Sequence, residues 1–339
     1  MSKKIMLFVI LSAMLIVIAG CGGAQPSTEG GADGGSAAAE TVKLRLGHIA
    51  GEGDAWHKGA LKFAELVKEK SGGTVEVEVF PSSTLGNDRD LIEGMQLGSV
   101  DFALVAGVLS NFHQPMSILE LPYLFRDQAH LEKVLYGDVG TQLKQDLLDN
   151  AQIRGLEFWV RGPRELTANR PINSVEDLKG LKIRVPEIPA SIAAWEAMGA
   201  TPTPMAFGEV YSSLQTGVID AQENPLAFID SNKLLEVQDY VMLTNHVYGY
   251  VLLTMSDLTY QKLNEEQRKA VEEAAKEATE FENNLVAEQE TQLVQKFKDN
   301  GTQVIEVDTA PFMEKAKTVH AEFAEKYGQE LYDSIVNVQ

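Results

Sequence analysis

Residues 162–189 read GPRELTANRPINSVEDLKGLKIRVPEIP, and residues 199–225 read GATPTPMAFGEVYSSLQTGVIDAQENP. Arg164 follows the strand-like run LEFWV and a Gly-Pro turn, and Arg184 ends a second strand-like run, LKIRV, that a proline closes. Both arginines are expected at the mouth of one sheet, where open α/β folds bind ligands. Because a planar guanidinium pairs bidentately with a carboxylate, the stretch predicts a carboxylate-binding site.

Four motifs in the chain resemble those of one transporter family. They are RxxTxNRPI from Arg164, LKGLKIRVP from Leu178, the stretch from Gly199 quoted above, and FPSSTLGNDRD from Phe80. From about Lys43 to near the C-terminus, the chain resembles the substrate-binding subunits of tripartite ATP-independent periplasmic (TRAP) transporters, the DctP-like family. The resemblance implies a two-lobe α/β fold of the periplasmic-binding-protein type, with a ligand cleft between the lobes and a long helix spanning both.

The same resemblance implies roles for residues of the quoted stretches. Arg184 is expected to make the salt bridge to the ligand carboxylate, and Arg164 and Asn224 are expected to complete the anion clamp. Phe207 corresponds to a ring that packs against the ligand, although its helical spacing with later apolar residues fits an ordinary core position equally well.

The substrate class is predicted from polar residues near these positions. The candidate partners for ligand hydroxyls are Asn87, Asp88, Glu187, Trp195 and Glu223. They favour a hydroxyl-rich sugar acid, such as a uronate or an aldonate, with surface roles for Asp88 and Glu187 as the alternative. A C4-dicarboxylate is the second expectation, because it needs another cationic anchor and only Arg164 is free. Relatives that bind sialic acid carry Asn and Glu where Ile49 and Ala106 align, which argues against sialic acid.

The first forty residues predict a targeting segment followed by a tether. Residues 1–20 predict a signal peptide, because two lysines precede an apolar run that is too short to span a membrane. Cys21 is the single cysteine of the chain, so no intramolecular disulfide is possible, and its setting resembles a lipobox in which the thiol is acylated. Residues 21–40 predict a lipid-anchored flexible linker. We therefore expect the protein on the extracytoplasmic face of the cell membrane, on the outer surface or in the periplasm.

The charge of the chain limits the partners it can have. The 339 residues carry a formal net charge of −20. An acidic protein of this kind is not expected to bind nucleic acid or anionic lipid headgroups. The same charge repels an anionic ligand at long range, so affinity must come from arginines inside a screened cleft.

Alternating strand and helix patterns on both sides of the quoted stretches predict two lobes. The first lobe is predicted to comprise residues 41–161 and about 250–289, and the second residues 162–249 and about 290–339.

Two further patterns support this organisation. The sequence Q-x-G-x-x-D occurs from Gln96 and again from Gln215, as expected for two similar halves in which a glycine ends a helix before a strand. The Glu-, Ala- and Lys-rich stretch from Asn264 to Asn300 predicts one long helix, with two shorter helices kinked near residues 282–284 as the alternative.

The sequence contains no recognisable catalytic or cofactor motif. The six histidines have no metal-ligand spacing, and neither a nucleophile elbow nor a phosphate loop is present. We therefore expect no enzyme activity, no cofactor and no metal. The resemblance implies delivery of an organic acid to a small and a large integral membrane subunit. A receptor of an ATP-driven importer and a sensory or scaffold binding lipoprotein are the alternatives from other classes.

Overall fold

A computed structural model describes residues 41–339, whose strands form two separate sheets. The predicted signal peptide (residues 1–20), Cys21 and the predicted linker (residues 21–40) lie outside the described residues.

The first sheet has five strands. In spatial order they are Val75–Phe80 (β2), Val42–Gly47 (β1), Phe102–Val105 (β3), Tyr250–Ser256 (β10) and Ile153–Val160 (β4). Strand β1 is parallel to β2 and β3, whereas β10 is antiparallel to both of its neighbours, β3 and β4.

The second sheet has six strands. In spatial order they are Gln303–Glu306 (β11), Tyr240–Val247 (β9), Arg164–Ala168 (β5), Ala221–Pro225 (β8), Lys182–Val185 (β6) and Thr201–Pro204 (β7). Strand β6 is parallel to β7 and β8, while β5 is antiparallel to β8 and β9.

Helices connect and cover the two sheets. The α-helices are Ala55–Lys70 (α1), Asp88–Leu97 (α2), Gln128–Leu135 (α3), Asp138–Ala151 (α4), Pro189–Ala197 (α5), Val210–Gln215 (α6), Leu226–Ser231 (α7), Asp257–Tyr260 (α8), Glu265–Asp299 (α9), Ala310–Ala316 (α10), His320–Tyr327 (α11) and Gln329–Val336 (α12). Shorter 3-10 turns are Gly107–Asn111, Gln114–Glu120, Val175–Leu178, Phe207–Glu209, Leu234–Glu236 and Lys317–Val319. No helix within residues 41–339 combines the length and the apolar composition needed to cross a membrane.

Helix α9 is the predicted long helix, and it is unbroken. Asn264 caps it, because the Asn264 side chain accepts from the Gln267 backbone N–H and the Gln267 side chain accepts from the Asn264 N–H. Its 35 residues span about 52 Å. The alternative of two kinked helices is therefore wrong.

Helix α9 belongs to the cores of both lobes. Ala274 and Ala278 pack in the cluster that contains the β1 and β10 side chains, whereas Leu293 and Phe297 pack with Val241 of β9. Since one helix is buried against each sheet in turn, the predicted two-lobe α/β fold with a long spanning helix is confirmed.

The C-terminal helices also contact both lobes. Phe312 of α10 packs with Ile183 of β6, whereas Phe323 of α11 and Ile335 of α12 pack in the core of the first lobe with Leu143 of α4. The assignment of residues from about 290 to 339 to the second lobe remains a prediction.

The two halves share the local feature that the repeated Q-x-G-x-x-D pattern predicts. Gly98 and Gly217 both adopt a φ of 72° where a helix ends, a conformation that glycine reaches without strain. The aspartates that close the pattern have equivalent partners: Asp101 accepts the backbone N–H of Arg45 at 2.8 Å, and Asp220 accepts that of Lys182 at 3.2 Å.

Two short connections cross side by side between the sheets. Arg161–Pro163 joins β4 to β5, and Tyr248–Gly249 joins β9 to β10. The Arg161 backbone N–H donates to the Gly249 carbonyl at 3.2 Å, so the crossings are hydrogen-bonded to each other. These crossings bring the carboxyl end of β4 next to the second sheet.

Candidate functional site

A cavity lies where strand ends of both sheets meet. Ile49 follows β1, Ala106 follows β3 and Arg161 follows β4, while Arg184 and Asn224 lie at the carboxyl ends of β6 and β8. The space unfilled by protein atoms, including its opening to solvent, is about 590 Å³. Its position at strand ends is typical of small-molecule sites in α/β proteins.

Arg184 is a buried cation with an incomplete set of partners. It is 3% exposed, and its Nε and Nη2 groups donate to the Met205 carbonyl at 3.1 and 2.8 Å. Its guanidinium carbon lies 5.6 Å from the centre of the Phe207 ring. No carboxylate of residues 41–339 forms an ion pair with it. Burial lowers the pKa of Arg184 to about 10, so it keeps its charge at neutral pH and can receive an anion.

Arg164 is already paired with a carboxylate. It begins β5, and its Nε and Nη2 groups donate to the two Glu223 carboxylate oxygens, with Nη2 also donating to the Glu223 carbonyl at 2.6 Å. The expectation that Arg164 is free to serve as a second cationic anchor is therefore wrong. Its pairing instead fixes Glu223, on the neighbouring strand β8, at the cavity wall.

His246 completes the environment of Glu223. Burial lowers the pKa of His246, so the ring is neutral. The His246 Nε2 is 2.9 Å from Glu223 Oε2, and its Nδ1 is 2.8 Å from Thr244 Oγ1. The neutral ring therefore donates from Nε2 to the carboxylate and accepts from the hydroxyl at Nδ1. Although burial raises the pKa of Glu223, Arg164 and His246 outweigh it and lower that pKa to about 2.

Asn224 and Phe207 line the cavity, as the resemblance implies. The Asn224 Nδ2 group donates to Gln222 Oε1 at 2.7 Å, which fixes the amide. Phe207 lies edge-on to Phe228 with 4.6 Å between the ring centres. The Phe207 ring thus forms part of the cavity wall and also packs against an apolar neighbour.

Two carboxyl groups line the cavity without an ion-pair partner among the described residues. Burial raises the pKa of Asp88 to about 6 and that of Glu120 to about 7. The Asp88 Oδ1 atom is buried and has no hydrogen-bond partner in the described part of the chain. The Glu120 carboxyl lies against Gly107, where a Cβ atom would collide with it, so glycine makes room for this side chain.

Three residues predicted as ligand partners do not line the cavity. Glu187, which follows the proline that closes β6, is exposed. Asn87 caps α2, where its side chain accepts the backbone N–H groups of Arg89 and Asp90. Trp195 is fully buried and packs edge-on to His246 at 5.2 Å between ring centres, so it supports the site from behind the Glu223 pair.

Arg161 is a cavity residue that the sequence reasoning missed. It is 8% exposed, and its guanidinium carbon lies 4.7 Å from the Trp56 ring centre and 5.5 Å from that of Phe228. It directly follows the run LEFWV, so the rule that singled out Arg164 and Arg184 would have found it. Trp56 and Phe228 gave no such signal, because aromatic residues at helical positions usually belong to a core.

The described residues contain no cluster of His, Cys, Asp or Glu able to hold a metal ion. Within residues 41–339 the arrangement is instead a pocket with three guanidinium groups on its wall, of which only that of Arg164 is paired with a carboxylate. Such a pocket can bind an organic anion.

Comparison with known proteins agrees with this geometry. Residues 46–326 match the DctP family, described as bacterial extracellular solute-binding protein, family 7. A solute-binding protein of Roseobacter denitrificans is 44% identical over 282 residues, which cover 83% of this chain and 87% of that protein. The chain therefore belongs to the DctP family of extracytoplasmic solute-binding receptors of TRAP transporters.

Solved structures of related receptors have the same fold. A TRAP periplasmic solute-binding protein from Roseobacter denitrificans with bound L-galactonate is 43% identical, with a TM-score of 0.84, and the match covers 87% of this chain and 99% of that one. A TRAP periplasmic solute-binding protein from Polaromonas bound to D-erythronate is 34% identical, with a TM-score of 0.85, and the match covers 88% and 99% of the two chains.

Proposed function

We propose that this protein captures a sugar acid, such as an aldonate or a uronate, through a salt bridge between Arg184 and the ligand carboxylate. The observation that carries the proposal is the buried Arg184 guanidinium, which has no carboxylate partner among residues 41–339 and faces a cavity at the strand ends. A buried cation without a counter-ion is costly, and a bound carboxylate would remove that cost. The related receptors with L-galactonate and D-erythronate support this substrate class.

Ligand capture is proposed to close the two lobes over the acid. The paired crossings at Arg161–Pro163 and Tyr248–Gly249 would serve as the hinge, because few residues connect the sheets there. Burial of the carboxylate against Arg184, with contacts from Asn224 and Phe207, would stabilise the closed form. The predicted lobe boundaries at residues 161 and 249 fall on these crossings and belong to the same proposal.

Delivery requires partners that the family implies. The closed receptor would dock on a small and a large integral membrane subunit that use an ion gradient. Acylation of Cys21 would hold the receptor on the extracytoplasmic face of the membrane, with residues 21–40 as the tether. Family membership supports a receptor and not an enzyme as the role of this chain.

A C4-dicarboxylate is the second candidate ligand, and one observation favours it. Arg161 is a second buried guanidinium of the cavity without an ion-pair partner among the described residues. A second carboxylate could pair with it.

The test is a calorimetric titration of residues 38–339 with matched ligands. L-Galactonate should bind, whereas galactitol, which has the same hydroxyl pattern without a carboxylate, should not. Succinate should bind more weakly than L-galactonate. Equal binding of galactonate and galactitol would contradict a carboxylate site, and tighter binding of succinate would favour the dicarboxylate.

A further inference from the structure

Arg161 has a different environment from the other two cavity arginines. Arg164 donates to Glu223, and Arg184 donates to the Met205 carbonyl. The Arg161 guanidinium donates to no acceptor within residues 41–339, and the faces of Trp56 and Phe228 lie against it. The described residues therefore leave its N–H groups unused, although the side chain is buried.

The two aromatic rings hold Arg161 in position. Trp56 belongs to α1 beside the first sheet, and Phe228 belongs to α7 after β8 of the second sheet. Their ring centres are 5.6 Å apart, and the Arg161 guanidinium lies within 5.5 Å of both. Stacking of this kind stabilises a cation but satisfies none of its N–H groups. The side chain is thus preorganised to donate hydrogen bonds into the cavity.

The nearby carboxylates are not equally available to Arg161. Asp54 accepts the Trp56 backbone N–H at 2.9 Å and the Ser231 hydroxyl at 3.3 Å. Glu223 is bound by Arg164 and His246. The carboxyl groups that remain open to the cavity are those of Asp88 and Glu120, and neither forms an ion pair within the described part of the chain.

The same wall therefore presents unused donors from Arg161, an unused acceptor atom of Asp88 and the carboxyl group of Glu120, which also interacts with the Tyr250 hydroxyl. A hydroxyl group matches both, because it accepts from a guanidinium and donates to a carboxylate. A second ligand carboxylate matches only the donors, and ionised carboxyl groups on the wall would repel it.

We infer that Arg161, with Asp88 and Glu120, binds the hydroxyl groups of the ligand and selects polyhydroxy monocarboxylates over dicarboxylates. This inference rests on the proposed function, in which Arg184 holds the single carboxylate. Arg161 is then a specificity-determining residue, because it contacts the hydroxyl groups of the ligand whereas Arg184 contacts the carboxylate.

The experiment compares Arg161→Met and Arg184→Met by calorimetric titration with three probes: L-galactonate, its mono-deoxy derivatives and succinate. Arg161→Met should weaken L-galactonate about 10- to 100-fold, the equivalent of one charge-assisted hydrogen bond. In the native protein, at least one deoxy derivative should bind more weakly than L-galactonate. Arg161→Met should bind that derivative almost as tightly as the native protein does, because the missing hydroxyl is the partner of Arg161. Succinate should change less than threefold.

Other results would overturn the inference. If Arg161→Met weakens succinate more than L-galactonate, Arg161 anchors a second carboxylate. If Arg161→Met leaves L-galactonate unchanged, Arg161 has no ligand role, while a loss in Arg184→Met would still support the proposed function. If native protein binds no acid, the proposed function itself fails. If Arg161→Met does not fold, Arg161→Lys takes its place in the same titrations, because lysine keeps the charge but lacks the planar guanidinium group.

Discussion

Replacing Arg184 with methionine should abolish detectable acid binding while leaving the unliganded protein folded. Methionine has an unbranched apolar side chain and can fill much of the buried site against Phe207. Two of the five N–H groups of Arg184 already donate to Met205, which leaves three for a ligand. Methionine provides none of these donors.

The size of the effect follows from this count. A bidentate salt bridge uses two charge-assisted hydrogen bonds of about 1.5–3 kcal/mol each, so its loss should cost about 3–6 kcal/mol. That corresponds to a ~10²- to 10⁴-fold weaker affinity. At a ligand concentration of about 100 times Kd, binding stabilises the native protein by about 2.7 kcal/mol. For a folded body of roughly 300 residues, this raises the unfolding temperature by about 4 °C.

The assay is thermal unfolding with and without L-galactonate, followed by calorimetric titration. The matched control is Arg170→Met, because Arg170 is exposed and donates to the Asp177 carbonyl outside the cavity. We expect the 4 °C shift in native protein and in the control, and no shift in Arg184→Met. An Arg184→Met protein that binds L-galactonate within threefold of the native affinity would refute the reasoning.

Three other predictions concern charge and targeting. Glu223→Gln should lower the free energy of unfolding at pH 7 by about 3–5 kcal/mol, because Arg164 loses its buried partner. The pKa of Glu223 is lowered to about 2, so denaturant unfolding should show this difference above pH 4.5. The difference should disappear as the pH approaches 2. Burial raises the pKa of Glu165 to about 8, so its contribution to stability is present at pH 4.5 and is lost as the pH rises through 8. Glu165→Gln should therefore raise the unfolding temperature relative to native protein at pH 8 and lose this advantage by pH 5, and a pH-independent difference would contradict the assignment. Cys21→Ser should move the protein from the membrane fraction to the soluble extracytoplasmic fraction, and retention in the membrane would argue against a lipid anchor.

Local elements were predictable because nearby residues determine them. The alternating apolar and polar residues of Val42–Gly47 are enough to indicate β1, and the Asn264 cap begins the long helix where the pattern indicates. The position of Arg184 at the end of β6 was equally accessible, since it depends on one short strand and one proline.

Pairing between distant strands was not predictable. Arg164 and Glu223 meet because β5 and β8 are antiparallel, with Leu166 opposite Glu223. Nothing near either residue in the sequence indicates this register, so Arg164 looked free for a ligand. The same limit applies to Glu187, since its exposure depends on how the chain turns after β6.

The cavity wall was predicted in part. Ile49 and Ala106, which the resemblance aligned with positions that differ in sialic acid receptors, do line the cavity. The aromatic contacts of Arg161 were not predictable. Trp56 lies on a helix beside the first sheet and Phe228 on a helix beside the second, and the two rings meet only in the folded chain.

The placement of β10 has a consequence for how this protein is made. β10 lies between β3 and β4, so the first sheet cannot be completed until residue 256 has been synthesised. Until then β3 and β4 lack the strand that joins them, and pairing across so many residues is slow to form. A nascent chain that folds late remains unfolded for longer and can be translocated in that state. This suits a receptor family that works outside the cytoplasm and must cross a membrane to get there.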